Sequence, residues 1–360
     1  TSTWNYDTGN KATGKLVSVS YTGTGNHAHD RSLSYDDLGR LESEVSTVDS
    51  ENFSLVYTYD GYSRRETVTY PTGFIVRNVY NQYGHLVEVK DAANDTPYWT
   101  ANASDAEGHV TRETLGNGLE TLRDYDPVYG TLKAIGTGAT NNVQDLEYQF
   151  DALGNLKKRI DKRASNNFTE KYEYDALNRL TESDIVEVGI RTYDYDPTGN
   201  IMKKSDFGDL YSYGASGAGP HAVTQVQNGA TVLASYDYDA NGNMITGDGR
   251  TVTWTSFNKA ETIQKGTTTL NFYYDADHNR VKQENGTKTT YYVNSGAHFE
   301  KVIDATGTEN IHYITAGKRR IAIYTKKSDS TEKTRYLHAD HLGSTDVITD
   351  EQGNIRERMS

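Results

Sequence analysis

Lys171-Tyr172-Glu173-Tyr174-Asp175-Ala176-Leu177-Asn178-Arg179-Leu180 is the stretch whose reading decides the fold. Side chains two positions apart share one face of a strand, so Tyr172 and Tyr174 point one way and Glu173 the other, the pattern of a half-buried β-strand. Asp175 then stands where a carboxylate can accept backbone N–H groups of a following turn. Asn178 stands where the chain must take the left-handed conformation that closes it. Leu180 opens the next strand. One strand ends, the chain reverses, and another begins.

The same unit recurs along the chain. Tyr35-Asp36-Asp37-Leu38-Gly39-Arg40-Leu41, Phe150-Asp151-Ala152-Leu153-Gly154-Asn155-Leu156, Tyr195-Asp196-Pro197-Thr198-Gly199-Asn200-Ile201, Tyr238-Asp239-Ala240-Asn241-Gly242-Asn243-Met244 and Tyr274-Asp275-Ala276-Asp277-His278-Asn279-Arg280 are the clearest copies. Looser ones start at Tyr6, Tyr59, Tyr80, Ser104 and Tyr125, and Tyr213-Gly214 marks a worn copy between Tyr195 and Tyr238. Self-similarity at a period of about 20 to 50 residues is the signature of an array whose units bury their apolar faces against neighbours. Pro71-Thr72-Gly73 and Asn117-Gly118, lying between copies, read as hairpin connections. No segment shows helical periodicity. The fold class is therefore all-β, an array of antiparallel hairpins.

Composition agrees with a sheet that covers much surface. Of 360 residues, 35% are hydrophobic, and 28 are Tyr against 8 Phe and 3 Trp. Tyrosine packs by its ring while its hydroxyl seeks a partner, which suits a shell or ribbon better than a solid globule. The net charge of −13 opposes binding to nucleic acid. With 0 Cys, disulfides and thiolate metal sites are excluded. No apolar run approaches the ~20 residues of a membrane span. Both ends read as cuts through a longer array, since Tyr6-Asp7-Thr8-Gly9-Asn10 and Asp350-Glu351-Gln352-Gly353-Asn354-Ile355 are themselves turn-like units.

The repeated Tyr-Asp-x-x-Gly-Arg/Asn-Leu unit closely resembles the YD repeat of the Rhs family, and Tyr336-Leu337-His338-Ala339-Asp340-His341-Leu342-Gly343-Ser344-Thr345 is similar to the Rhs-associated core motif. The continuation from Val347 to Ile355 fits it too. The family includes bacterial polymorphic toxins, C components of insecticidal Tc complexes, wall-associated proteins and teneurins. The resemblance implies a YD-repeat sheet that spirals into part of a hollow shell, with residues 1–335 as the array and 336–360 as the core-motif region continuing it in one architectural unit. It implies a secreted or injected protein whose partner is a C-terminal effector of the same polypeptide, together with delivery proteins or a second shell half. In toxin members a self-cleaving aspartate lies downstream in an Asp-Pro-x-Gly-Leu type sequence; this sequence stops at Ser360 without one, so no autoproteolysis is assigned. A cell-surface adhesion or carbohydrate-contacting module is the alternative.

Several constellations imitate chemistry. His338, Asp340 and His341 resemble metal ligands, yet in a strand 341 faces away from 338 and 340. Asp237-Tyr238-Asp239-Ala240-Asn241-Gly242 with Asp248 imitates a calcium loop but lacks flanking helices. Asp36 with Asp37, Asp340 with Asp346, and Ser344 near His341 lack the apolar surround or nucleophile elbow that catalysis requires. Tyr213-Gly214-Ala215-Ser216-Gly217-Ala218-Gly219-Pro220 has no lysine and no following helix, so it is no phosphate loop. Tyr35, Asp36, Gly39, Tyr174, Asp175, Tyr195, Asp196, Gly199, Tyr238, Asp239 and Gly242 are read as structural, as are Tyr336, Leu337, His338, Asp340, His341, Leu342, Gly343 and Ser344. No cofactor, metal or enzymatic activity is assigned.

Overall fold

The structure, a computed structural model, describes residues 1–23, 27–163, 168–294 and 296–359. Its described residues form 33 strands, arranged in two large antiparallel sheets of 18 and 15. The regular helical structure among them is a short 3-10 turn at Ala215–Gly217, inside the glycine-rich stretch. No helix among the described residues is long and apolar enough to cross a membrane.

Several strands carry the alternation that the sequence displays. Tyr57 is buried, Thr58 exposed and Tyr59 half-buried; Tyr172, Glu173 and Tyr174 repeat the pattern on Phe168–Tyr174. The register adds a feature that the repeat conceals. The aromatic residue opening each turn pairs across a bulge: Ser34 faces Ser43, but Tyr35 faces Leu41, leaving Glu42 as the extra residue. The same shift precedes Tyr59, Tyr80, Phe150, Tyr174, Tyr195 and Tyr238. A bulge adds local twist, so every repeat turns the sheet by the same device.

The chain divides into two compact units, one of Thr1–Glu120 with Leu270–Ser360 and one of Thr121–Thr269. In the first, the early and late strands face one another across an apolar core. Val48, Phe53, Leu55, Val76, Val89 and Trp99 come from one side, and Val293, Phe299, Ile314, Ile321 and Tyr336 from the other. Phe74, His312, Tyr324 and Phe299 add a cluster of edge-on and tilted rings with centroids 4.7 to 5.2 Å apart. In the second unit, a buried apolar cluster is formed by Ile135, Leu146 and Tyr148, flanked by Leu132, Phe150 and Leu156. Beside it runs a buried polar ladder in which the Thr121 and Thr137 hydroxyls lie 2.9 Å apart and Thr137 donates to Gln144 Oε1 at 2.9 Å. Buried hydroxyls and amides are tolerated there because they satisfy one another.

Candidate functional site

The turn following each aromatic residue is the recurring polar assembly of the fold. Asp36 N donates to Arg40 O at 2.9 Å, and Gly39 N to Asp36 O at 2.8 Å. The carboxylate completes the turn: Oδ1 accepts Leu38 N and Arg40 N at 3.0 and 2.8 Å, and Oδ2 accepts Arg40 Nε at 2.7 Å. Closing this loop needs positive φ at the fourth residue, which is +75° at Gly39, +95° at Gly199 and +85° at Gly242. Asn178, Ser63 and His278 take the same conformation with a side chain.

Several turns are also clipped to their neighbours. The Arg40 guanidinium lies 4.4 Å over the ring of Tyr59 in the next unit, and Arg179 lies 4.7 Å over Tyr195. Tyr59 in turn donates its hydroxyl to Leu41 O at 2.7 Å. Tyr35 reaches Leu16 O, Tyr174 reaches Leu156 O, Tyr195 reaches Leu180 O and Tyr238 reaches Val223 O, all between 2.7 and 2.9 Å. The worn copy keeps the contact, with Tyr213 bonded to Ile201 O at 2.6 Å. Here is the physical reason for tyrosine over phenylalanine: the ring packs, and the hydroxyl pairs a bulge-side carbonyl that the strand ladder leaves over. Hydrogen bonds from the Thr198 hydroxyl and from Asn200 hold the Asp196 carboxyl down at about 2, and the Asn243 side chain with backbone N–H groups lowers that of Asp239.

The core motif uses the same turn. Asp340 N donates to Ser344 O, and Asp340 Oδ1 accepts Leu342 N and Ser344 N, each at 2.9 Å. Gly343 has φ +83°. Tyr336, Leu337, His338 and Ala339 are buried, whereas Leu342 at the turn tip is 78% exposed. His338 Nε2 lies 2.9 Å from the Thr349 hydroxyl, which accepts Asn117 Nδ2 at 2.8 Å; the same amide donates to Asp350 O at 2.9 Å. Tyr336 packs so close to Gly116 that a Cβ there would stand 2.4 Å from its hydroxyl. The motif therefore docks late strands of the first unit onto the hairpin at Asn117-Gly118.

A second device ties this unit together. Glu113, 2% exposed, accepts two bonds from the Arg319 guanidinium, one of them at 2.8 Å, and the Trp99 indole N–H at 2.6 Å. Within an alternating strand Glu113 reads as a surface acid. Its partner lies far away in sequence, so no local signal exposes it. Another repeat copy lacks the Tyr-Asp pair, Trp254-Thr255-Ser256-Phe257-Asn258-Lys259, where Thr255 replaces Asp and the Trp254 indole donates to Met244 O at 3.0 Å.

The imitated sites come apart. His338 and Asp340 are engaged separately, as above. Asp237 accepts the Thr246 hydroxyl, Asp239 closes its own turn with Asn243, and Asp248 pairs with Arg250 and Lys265. Asp36 serves Arg40 while Asp37 accepts Asn10 Nδ2. Asp105, Glu107 and His109 do bring ligand atoms within 4.8 Å of one another, but here His109 stands in the place of arginine and bonds Asp105 at 2.8 Å. Among the described residues, each of these aspartates is thus tied into a turn, an ion pair or a neighbouring side chain.

The fold and its recurring turn define an all-β protein built from repeated antiparallel strands. No protein-family model matches the chain. Over 212 residues, 57% of this chain, it is 27% identical to the tRNA3(Ser)-specific nuclease WapA of Bacillus spizizenii, of which that covers 8%. The crystal structure of TcdB2-TccC3 without its hypervariable C-terminal region superposes with a TM-score of 0.76 at 17% identity, covering 99% of this chain and 22% of that one. The Photorhabdus luminescens Tc holotoxin pore gives 0.74 at 16% identity, covering 99% and 22%. The chain thus shares the fold of the matching part of TcdB2-TccC3 and spans a small part of the length of the relatives it matches.

Proposed function

We propose that this chain is a non-catalytic wall segment of an Rhs-type toxin shell, secreted or injected during bacterial competition, that encloses a C-terminal effector of the same parent polypeptide. The observation that carries the reading is the ladder of turns, in which each aspartate closes its own bend and each tyrosine hydroxyl clips one unit to the last. Such a sheet grows by repetition and needs no centre of its own. Residues 336–360 continue the sheet of the array, the core motif locking late strands of the first unit onto early ones. The polar, tyrosine-rich wall would hold its passenger without offering it a core to fold against. The likeness to TcdB2-TccC3 supports this, as does the likeness to WapA, whose relatives carry far more chain than is present here. Delivery proteins or a second shell half are the further partners.

A second reading has its own observation. Tyr62, Tyr83 and Tyr129 sit on turn tips and are 83%, 78% and 74% exposed, as rings that stack on sugars or on partner surfaces would be. Sequencing the coding region beyond Ser360 separates the two. An Asp-Pro-x-Gly-Leu type site followed by an unrelated domain is expected on the shell reading. Further repeats running into a wall or membrane anchor would replace it with adhesion.

A further inference from the structure

The repeat supplies its own comparison for a cavity in the second unit. In the turns at Asp36, Asp60 and Asp175, the aspartate Oδ2 accepts an arginine Nε, and that guanidinium lies 4.4, 4.5 or 4.7 Å over the tyrosine opening the next unit. The turn at Asp126 follows the same plan with one residue more: Asp126 N donates to Thr131 O, and Leu132 pairs with Tyr125. Thr131 therefore occupies the place of Arg40, and Phe150 that of Tyr59. Threonine is too short to cross to the next turn. Asp126 Oδ1 accepts Val128 N and Tyr129 N at 2.9 Å, while Oδ2 has no hydrogen-bond partner among the described residues. Between this carboxylate and Phe150 lies a cavity of about 570 Å³, also lined by Tyr129, Tyr148 and Lys133, the last held by Asp124 at 3.3 Å.

We infer that this cavity is a vacated guanidinium site and binds an arginine side chain of another polypeptide, through Asp126 Oδ2 and the aromatic floor. The fork of a guanidinium matches a carboxylate edge and stacks flat on a ring, which an ammonium does less well. Backbone hydrogen bonds from Tyr129 and Val128, with the nearby Lys133 cation, keep the Asp126 carboxyl ionised, and Lys133 itself is paired with Asp124. The inference is independent of the enclosure reading, since it follows from the turn geometry alone.

The test is titration of the whole chain with N-acetylarginine amide, followed by the amide NMR shifts of Tyr129, Gly130, Thr131 and Leu153. Saturable shifts are expected, with N-acetyllysine amide binding roughly tenfold more weakly. Thr131→Arg should abolish binding and raise the unfolding midpoint, because the guanidinium is then supplied internally. Asp126→Asn should weaken binding roughly fivefold while the turn survives, since Asn81 caps Tyr83 N and His85 N at the same position of its own turn. Equal binding of both amides, binding that persists in Thr131→Arg, or no saturable shift at all would overturn the assignment.

Discussion

Replacing Arg319 by Met should destabilise the first unit more than any other single polar substitution made in it. Glu113 is 2% exposed and accepts hydrogen bonds from the Arg319 guanidinium and from the Trp99 indole N–H, a neutral donor. Removing the cation leaves a buried carboxylate without its bidentate partner, a change that costs about 3–5 kcal/mol in such sites. That is a large share of the roughly 5–15 kcal/mol that a domain possesses. The assay is urea unfolding followed by tryptophan emission in a Trp4→Phe, Trp254→Phe background, where Trp99 reports on the site itself. Replacing both members, Glu113→Gln with Arg319→Met, removes the stranded charge and should recover more than half of the loss. A midpoint within experimental error of the parent for Arg319→Met, or a double variant as unstable as the single one, would refute the claim that this pair spans a desolvated seam.

Acid should loosen the same unit. Burial lowers His312 and His298 to about 4, the latter helped by Arg65 and Arg320, against an unfolded value near 6.5. The unfolded chain then takes protons first, so stability present at pH 7 falls as pH drops below about 6.5 and goes on falling to about 4, by up to ~3 kcal/mol per histidine. A urea midpoint unchanged between pH 7 and 5 would contradict this, and His312→Gln should flatten part of the slope. Tyr195→Phe removes the hydroxyl bonded to Leu180 O and should lower stability by about 1 kcal/mol, measured by thermal melting. Gly199→Ala should cost about 1–2 kcal/mol from its φ of +95° alone, as no atom lies within 4 Å of the new Cβ. Gly116→Ala should cost more, because its Cβ would also meet the Pro97 carbonyl at 2.3 Å.

The parts of the fold that were legible in the sequence are the parts written in short-range hydrogen bonds. Asp175 and Asn178 specify their turn within four residues of one another, and Pro71-Thr72-Gly73 closes with the same pattern, Tyr70 N donating to Phe74 O. The alternation at Tyr172, Glu173 and Tyr174 fixes which side of the strand is covered. What covers it is a non-local matter. That Tyr336 lies against Gly116, that Asn117 bonds Thr349, and that Glu113 meets Arg319 all depend on strands widely separated in the chain. The bulge at Tyr35 was hidden because an extra residue at Glu42 leaves the motif spacing unchanged. The turn at Thr255 was hidden because a hydroxyl accepts Lys259 N as a carboxylate would, and Trp254 serves for tyrosine.

Hydrogen–deuterium exchange on the parent polypeptide that carries this array tests the central claim most directly. If the array is the wall of a shell, the segment enclosed by it resists added protease while its amides exchange at rates close to those of an unfolded chain. A passenger with the slow-exchanging amides of a folded domain, cleaved as readily as a free one, would contradict the account.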